Sequence, residues 1–305
     1  MRYSKSALFW RVFATILSLS LLFAMLWGYF HFWNPQLNPT TNGQKTISGS
    51  TQVNIPGSAH ITVAGSTPQA RPNLPGWKLL FNDEFNGPKL DTSKWDIENA
   101  DSGGYQNCCL RYGVQYFTPH ALSFLSGSLR ITTEKQHMGG AAYTSGAITT
   151  ENKFSFLYGR LDIRAKLPKT QGLWPAFWLL PTNTLSGQAP FEIDMMEFLG
   201  KDPTTMYMIN HWDMDHQTSY NTYQGPDFSK NYHTYSMVWN AQSLTFYIDG
   251  IQRFQTWQGV SNEAMYLILN STIGGSWAGS PDASTALPQY LDIDYVRVYQ
   301  PTARQ

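Results

Sequence analysis

Phe191-Glu192-Ile193-Asp194-Met195-Met196-Glu197-Phe198 sets three carboxylates within six residues among large apolar side chains. An unpaired charge in such company is costly unless it faces a polar cleft. Side chains alternate along a regular strand, so Glu192 and Asp194 share one face and Glu197 points the other way. One extra residue in a β-bulge, at Met195 or Met196, returns Glu197 to the first face. The spacing predicts that bulge, and with it a groove lined by all three acids.

With the bulge in place, Glu192 and Glu197 stand about four strand steps apart, roughly 13 Å between α-carbons. Side chains leaning toward each other on a concave sheet bring the carboxyl groups to about 5 to 6 Å. That is nearer the roughly 5 to 5.5 Å of a retaining glycosidase than the roughly 6.5 to 9.5 Å of an inverting one. In that chemistry Glu192 attacks the anomeric carbon, and Glu197 protonates the departing oxygen and later activates water. Asp194, between them, holds one carboxyl by hydrogen bonding and raises the acid's proton affinity by like-charge repulsion. The competing reading is an exposed strand edge or a cation site. Calcium prefers oxygens from turns and backbone carbonyls, and a strand interleaved with Ile193, Met195 and Met196 supplies few.

Outward from this stretch the chain reads as short strands. Leu161, Ile163, Ala165 and Leu167 alternate with Arg160, Asp162, Arg164 and Lys166. Leu244, Phe246 and Ile248 alternate with Thr245 and Tyr247, and Asp249-Gly250 is a tight-turn pair before Ile251 to Trp257. Leu291, Ile293 and Tyr295 alternate with Asp292 and Asp294. No long amphipathic helix interrupts this pattern. The fold class is all-β, a two-sheet antiparallel sandwich.

Composition agrees. Of 305 residues, 42% are hydrophobic, 15% aromatic and only 14% charged, which excludes a disordered chain or a coiled coil over most of the length. The 21 basic residues balance the 21 acidic ones, but residues 1–70 carry four bases and no acid, leaving 17 bases against 21 acids beyond them. A mildly acidic domain argues against a nucleic-acid partner. Val12 to Trp33 runs 22 residues without Asp, Glu, Lys or Arg, after Arg2, Lys5 and Arg11. At about 1.5 Å per residue a helix there spans roughly 33 Å, enough to cross a bilayer core of about 30 Å. The preceding bases orient the C-terminal part outward. Residues 1–33 are therefore expected to be a cytoplasmic stub and transmembrane anchor, 34–75 a Pro/Thr/Ser/Gly-rich linker, and 76–301 the catalytic domain. A cleaved signal peptide is the alternative, and the domain would then be secreted. Cys108 and Cys109 are adjacent, so a strained vicinal bridge, two free thiols or a bridge to another chain all stay open.

Several motifs in order resemble glycoside hydrolase family 16, in its bulge-containing, laminarinase-like branch. They are Phe81-Asn82-Asp83-Glu84-Phe85-Asn86-Gly87, Tyr158-Gly159-Arg160, Trp174-Pro175-Ala176-Phe177-Trp178-Leu179-Leu180-Pro181, the acidic stretch, Tyr247-Ile248-Asp249-Gly250, Gly274-Gly275-Ser276-Trp277 and Asp294-Tyr295-Val296-Arg297-Val298-Tyr299. The resemblance implies a jelly-roll sandwich with a concave sugar cleft. It also implies retaining hydrolysis of internal β-1,3 or β-1,4 linkages in glucans or galactans, most plausibly β-1,3-glucan. Glu192 then matches the nucleophile, Glu197 the acid/base and Asp194 the supporting acid. Trp174 and Trp178 resemble the sugar platform and Trp277 a cleft wall, although core packing is the ordinary fate of a sandwich Trp. His211 resembles a strand histidine that bonds Glu197 or the sugar, or is simply structural. Arg160 would bond a carboxylate or a hydroxyl, or face solvent.

No cofactor is required by this chemistry. The resemblance permits a structural calcium on Glu84, Gly127 and Asp294. Residues 101–115 depart from the family pattern, which leaves the preferred sugar open. Mixed-linkage glucanase, galactanase and transglycosylase stand as alternatives, as does a glucan-binding module, which would need neither glutamate.

Overall fold

The computed structural model describes residues 74–98, 113–182, 190–213 and 217–302. The expected membrane segment at 12–33, nearly all of the linker, and Cys108 and Cys109 lie outside the described residues. Among those described, no helix is long and apolar enough to cross a membrane.

The described residues form seventeen strands: β1 Trp77–Asp83, β2 Asp96–Ile97, β3 Gln115–Phe117, β4 Leu122–Leu125, β5 Ser128–Thr133, β6 Tyr143–Ser145, β7 Ala147–Thr149, β8 Gly159–Lys166, β9 Leu173–Pro181, β10 Phe191–Phe198, β11 Thr205–Trp212, β12 Gln217–Gln224, β13 His233–Trp239, β14 Leu244–Ile248, β15 Ile251–Thr256, β16 Met265–Ile273 and β17 Gln289–Pro301. One sheet runs β15-β14-β13-β8-β17-β5-β4, with β1 also paired to β17. The other runs β12-β11-β10-β9-β16-β7-β2. Within both sheets every pair is antiparallel, as the alternation predicts, and β3 and β6 make a small parallel pair beside them.

Period-two alternation decides which side chains meet between the sheets. Leu161, Ile163 and Ala165 of β8 are fully buried, and so are Ile193, Met196 and Phe198 of β10. Both sets belong to one core cluster with Phe177, Leu179, Tyr235, Met237 and Phe246. Each of the Leu, Ile, Phe and Met side chains contributes about 1.5 to 3 kcal/mol by leaving water. The Asp249-Gly250 turn closes the β14–β15 hairpin with both residues at positive φ, 53° and 76°, the backbone a two-residue hairpin turn demands.

The outer face of the eight-stranded sheet is a lattice of ion pairs, and it corrects two expectations. Arg160 does not approach the acidic stretch. Its Nε bonds Asp162 Oδ1 at 2.8 Å on the side of β8 turned away from the core, with both sheets between it and the acidic face of β10. The calcium set fares no better. Glu84 holds the Arg297 guanidinium through both oxygens, at 3.1 and 2.8 Å, and Asp294 is bonded by Arg164. Two guanidinium groups compete electrostatically with a cation at these carboxylates, so Glu84, Gly127 and Asp294 do not fit a calcium ion.

Candidate active site

The predicted bulge is in β10. Against β11, Asp194 pairs with Ile209 and Glu197 with Tyr207, so two residues of β10 are accommodated between partners only two apart. Against β9, Asp194 pairs with Trp178, Met196 with Phe177 and Glu197 with Ala176, leaving Met195 as the extra residue. Met195 and Met196 both turn into the core, at 2% and 0% exposure. Flexible thioethers suit consecutive inward positions that a branched side chain would crowd. The bulge thereby restores Glu197 to the face of Glu192 and Asp194.

That face is built around three neighbouring strands. Directly opposed residues of antiparallel strands share a face, so Glu192, Asp194 and Glu197 lie beside His211, Ile209 and Tyr207 of β11, and beside Trp178 and Ala176 of β9. Trp174 Nε1 donates to Glu197 Oε1 at 2.8 Å. Its ring meets the edge of Trp277 at 5.1 Å, and Trp277 in turn meets Tyr207 at 4.8 Å. The two tryptophans, both half-buried, thus stand together beside the acid, where the resemblance implied a platform at Trp174 and a wall at Trp277.

Trp178 differs. It lies on the acidic face but is only 8% exposed, packed with Phe117, Ala147, Leu180, Tyr266 and Ile268, and its Nε1 donates to Asn270 Oδ1 at 2.8 Å. It is a buttress beneath the site rather than an open platform. His211 departs from expectation in its partner. Its Nε2 is 3.2 Å from Asp194 Oδ2, not on Glu197, and its Nδ1 is 3.0 Å from the Thr218 hydroxyl on β12. Asp194 Oδ2 is within ion-pair reach of that nitrogen but off the line of a hydrogen bond, and no hydrogen bond satisfies it among the described residues. Trp239 and His233 are structural. Trp239 is buried with its Nε1 on the Ser261 carbonyl, and His233 pairs with Asp249 at 2.7 Å.

Burial dominates the electrostatics. It pushes Glu192 up to about 8, helped by the Asp194 charge and opposed by His211. Asp194 rises to about 7 for the same reason. Glu197 is pushed well above the ordinary carboxylate value, first by burial and then by the Asp194 charge; the Trp174 indole pulls it back, Glu192 adds to the rise and His211 opposes it. All three carboxyls are thus held toward their protonated forms, and the protons leave the cluster as a coupled set. One donor atom each from Glu192, Asp194 and His211 lie within 4.8 Å of one another, a set that could hold a cation. Hydrolysis by paired carboxyls needs none.

Tyr207, Thr218 and Asn270 were not singled out from sequence. Their faces follow from strand register, and register depends on where the bulge falls.

Comparison with known proteins matches this arrangement. The family described as glycosyl hydrolases family 16 matches residues 113–297. A second, described as beta-glucan synthesis-associated protein SKN1/KRE6/Sbg1, matches residues 12–190. Glucan endo-1,3-beta-glucosidase A1 of Niallia circulans is 34% identical over 75% of this chain, which spans 39% of that protein. A beta-glucanase of Rhodothermus marinus is 31% identical over 74% of this chain and 86% of its own length. The crystal structure of the laminarinase catalytic domain from Thermotoga maritima superposes with a TM-score of 0.70 at 32% identity, covering 74% of this chain and 99% of that one.

Proposed function

Because the chain belongs to glycosyl hydrolase family 16, we propose that it is a retaining endo-β-glucanase acting on β-1,3-glucan, with Glu192 as nucleophile and Glu197 as acid/base. One observation carries the reading: the extra residue at Met195 returns Glu197 to the face of Glu192 and Asp194, where Trp174 orients it. In the first half-reaction the Glu192 carboxylate bonds the anomeric carbon, while Glu197 passes its proton to the leaving glycosidic oxygen. In the second, Glu197, now ionised, takes a proton from water as that water attacks the same carbon and releases Glu192. Once ionised, Asp194 sets negative charge beside both, which favours the protonated form of Glu197, and His211 partly offsets that charge. The names of the Niallia and Rhodothermus relatives support the substrate class.

In Glu192→Ala, added azide should attack the vacant face and yield an α-glycosyl azide. A β-azide, or no rescue, would reject Glu192 as nucleophile.

The match to the synthesis-associated family favours a second outcome at the same site, in which the glycosyl-enzyme passes to another sugar instead of water. Mass spectrometry of a laminari-oligosaccharide digest decides this: products longer than the substrate require transfer, and their absence at high acceptor concentration rejects it. We further propose that residues 12–33 anchor the chain with the catalytic domain outside the cytoplasm, on the strength of the uncharged 22-residue run and the bases before it. Carbonate-washed membranes should retain the full chain. A mature chain starting beyond residue 33 would contradict the anchor.

A further inference from the structure

The geometry of the acidic face extends past the reacting carboxyls and identifies a sugar platform on β12. The inference rests on the glucanase reading above. The two carboxyls of a retaining enzyme flank the scissile bond, so the reacting sugar lies between them. Glu192 and Glu197 are set along one strand, β10. A polymer threaded between them must therefore run across the strands. On the β9 and β16 side Phe117 belongs with Trp178 and Ile268 to a buried cluster. On the other side, among the described residues, β12 is exposed along most of its length.

Register places one aromatic on that path. Asp194 pairs with Ile209, and Ile209 pairs with Tyr220, so the three side chains form a row on one face. Two strand spacings put Tyr220 roughly 10 Å from Asp194. Tyr220 is 65% exposed, and among the described residues its ring stacks on no other ring and lies under no cation. Thr218 and Thr222, two residues to either side, share its face; the Thr218 hydroxyl also touches His211. The opposite face of β12 is engaged elsewhere: Tyr223 packs on Phe228 and under Arg253, and Ser219 bonds Thr256.

We propose that Tyr220 stacks on the C–H face of a glucosyl unit next along the chain from the reacting sugar, extending the site across the sheet edge. A flat ring flanked by hydroxyls on the acidic face suits a pyranose, whose apolar face packs on aromatics while its rim bonds polar groups.

The test compares Tyr220→Ala and Tyr220→Phe with the parent on laminari-oligosaccharides of increasing length, on laminarin, and on β-glucosyl fluoride, a single unit that leaves the neighbouring positions empty. For the parent, kcat/KM should rise with length. Tyr220→Ala should lose about three- to tenfold on the longest substrates, keep the parent rate on the fluoride, and melt at the parent temperature. Tyr220→Phe should retain most of the gain, since the ring face does the binding. An unchanged length dependence in Tyr220→Ala overturns the platform while leaving the glucanase reading intact, and so does an equal loss on short and long substrates. A parent inactive on every β-glucan offered overturns both.

Discussion

At position 197 a glutamate sits 7% exposed between a tryptophan that donates to it and an aspartate that repels its charge. Catalysis and stability pull against each other there. In the unfolded chain this carboxyl ionises near its ordinary value, whereas in the fold it keeps its proton to a much higher pH. The folded state therefore binds more protons over that interval, and its stability falls as pH rises through it. Glu197→Gln escapes that loss. Its melting temperature should equal the parent's near pH 4 and exceed it by a margin that grows through the neutral range; a constant difference would contradict a buried, raised carboxyl. Turnover should fall by about 10²- to 10⁴-fold in the same variant.

The neighbours set the pH profile. Removing the Asp194 charge in Asp194→Asn lets Glu197 ionise earlier, so the falling alkaline limb of kcat/KM should move toward acid. Trp174→Phe removes a hydrogen bond that favours the ionised form, so that limb should move the other way. Limbs that stay in place in both variants would show that Glu197 is not the titrating acid.

Among the elements, β10 carries the function through its irregularity. Inserting one alanine between Met196 and Glu197 adds a second extra residue and reverses the alternation. Either Glu197 then turns into the core beside Phe177 and Tyr235, or the strand slips and exposes Phe198. Both routes bury a charge or expose apolar surface, so the insertion should abolish turnover and lower the melting temperature by more than Glu197→Gln changes it. An insertion variant with parental turnover would remove the bulge from the mechanism. This irregularity was legible beforehand because three acids spaced two and three apart cannot share a face of a regular strand. Arg160 misled for the complementary reason. The alternation in β8 separates a polar from an apolar face, but it does not say which of two sheets the strand joins, and β8 pairs with β13 and β17 rather than with the strands of the site. His211 falls opposite Glu192 rather than beside Glu197, and its contact with Asp194 follows from the register of two strands, which no single strand reveals.

For the whole molecule, the sandwich divides its labour between two outer faces. The seven-stranded sheet concentrates carboxylates with few counter-charges. The eight-stranded sheet pairs nearly every acid with a base: Arg130 with Asp292, Lys166 with Asp292, Arg164 with Asp294, Arg160 with Asp162, Arg297 with Glu84. Sequence resemblance permits a calcium on Glu84, Gly127 and Asp294 because it compares positions. It cannot see that Arg297 and Arg164 have entered the same space. Chelation with EDTA, and addition of calcium afterward, should leave the melting temperature unchanged. A chelator-dependent drop restored by calcium would contradict the ion-pair assignment.

The central claim is that Glu192 forms the glycosyl-enzyme while Glu197, brought beside it by the bulge, serves as acid/base. A 2-deoxy-2-fluoro laminaribiosyl fluoride slows the second half-reaction and traps that intermediate, and peptide mass spectrometry then locates the bound sugar. The account predicts one label per chain, on Glu192, formed far more slowly with a poor leaving group in Glu197→Gln. A label on Glu197 or Asp194, or none from an active enzyme, would contradict it.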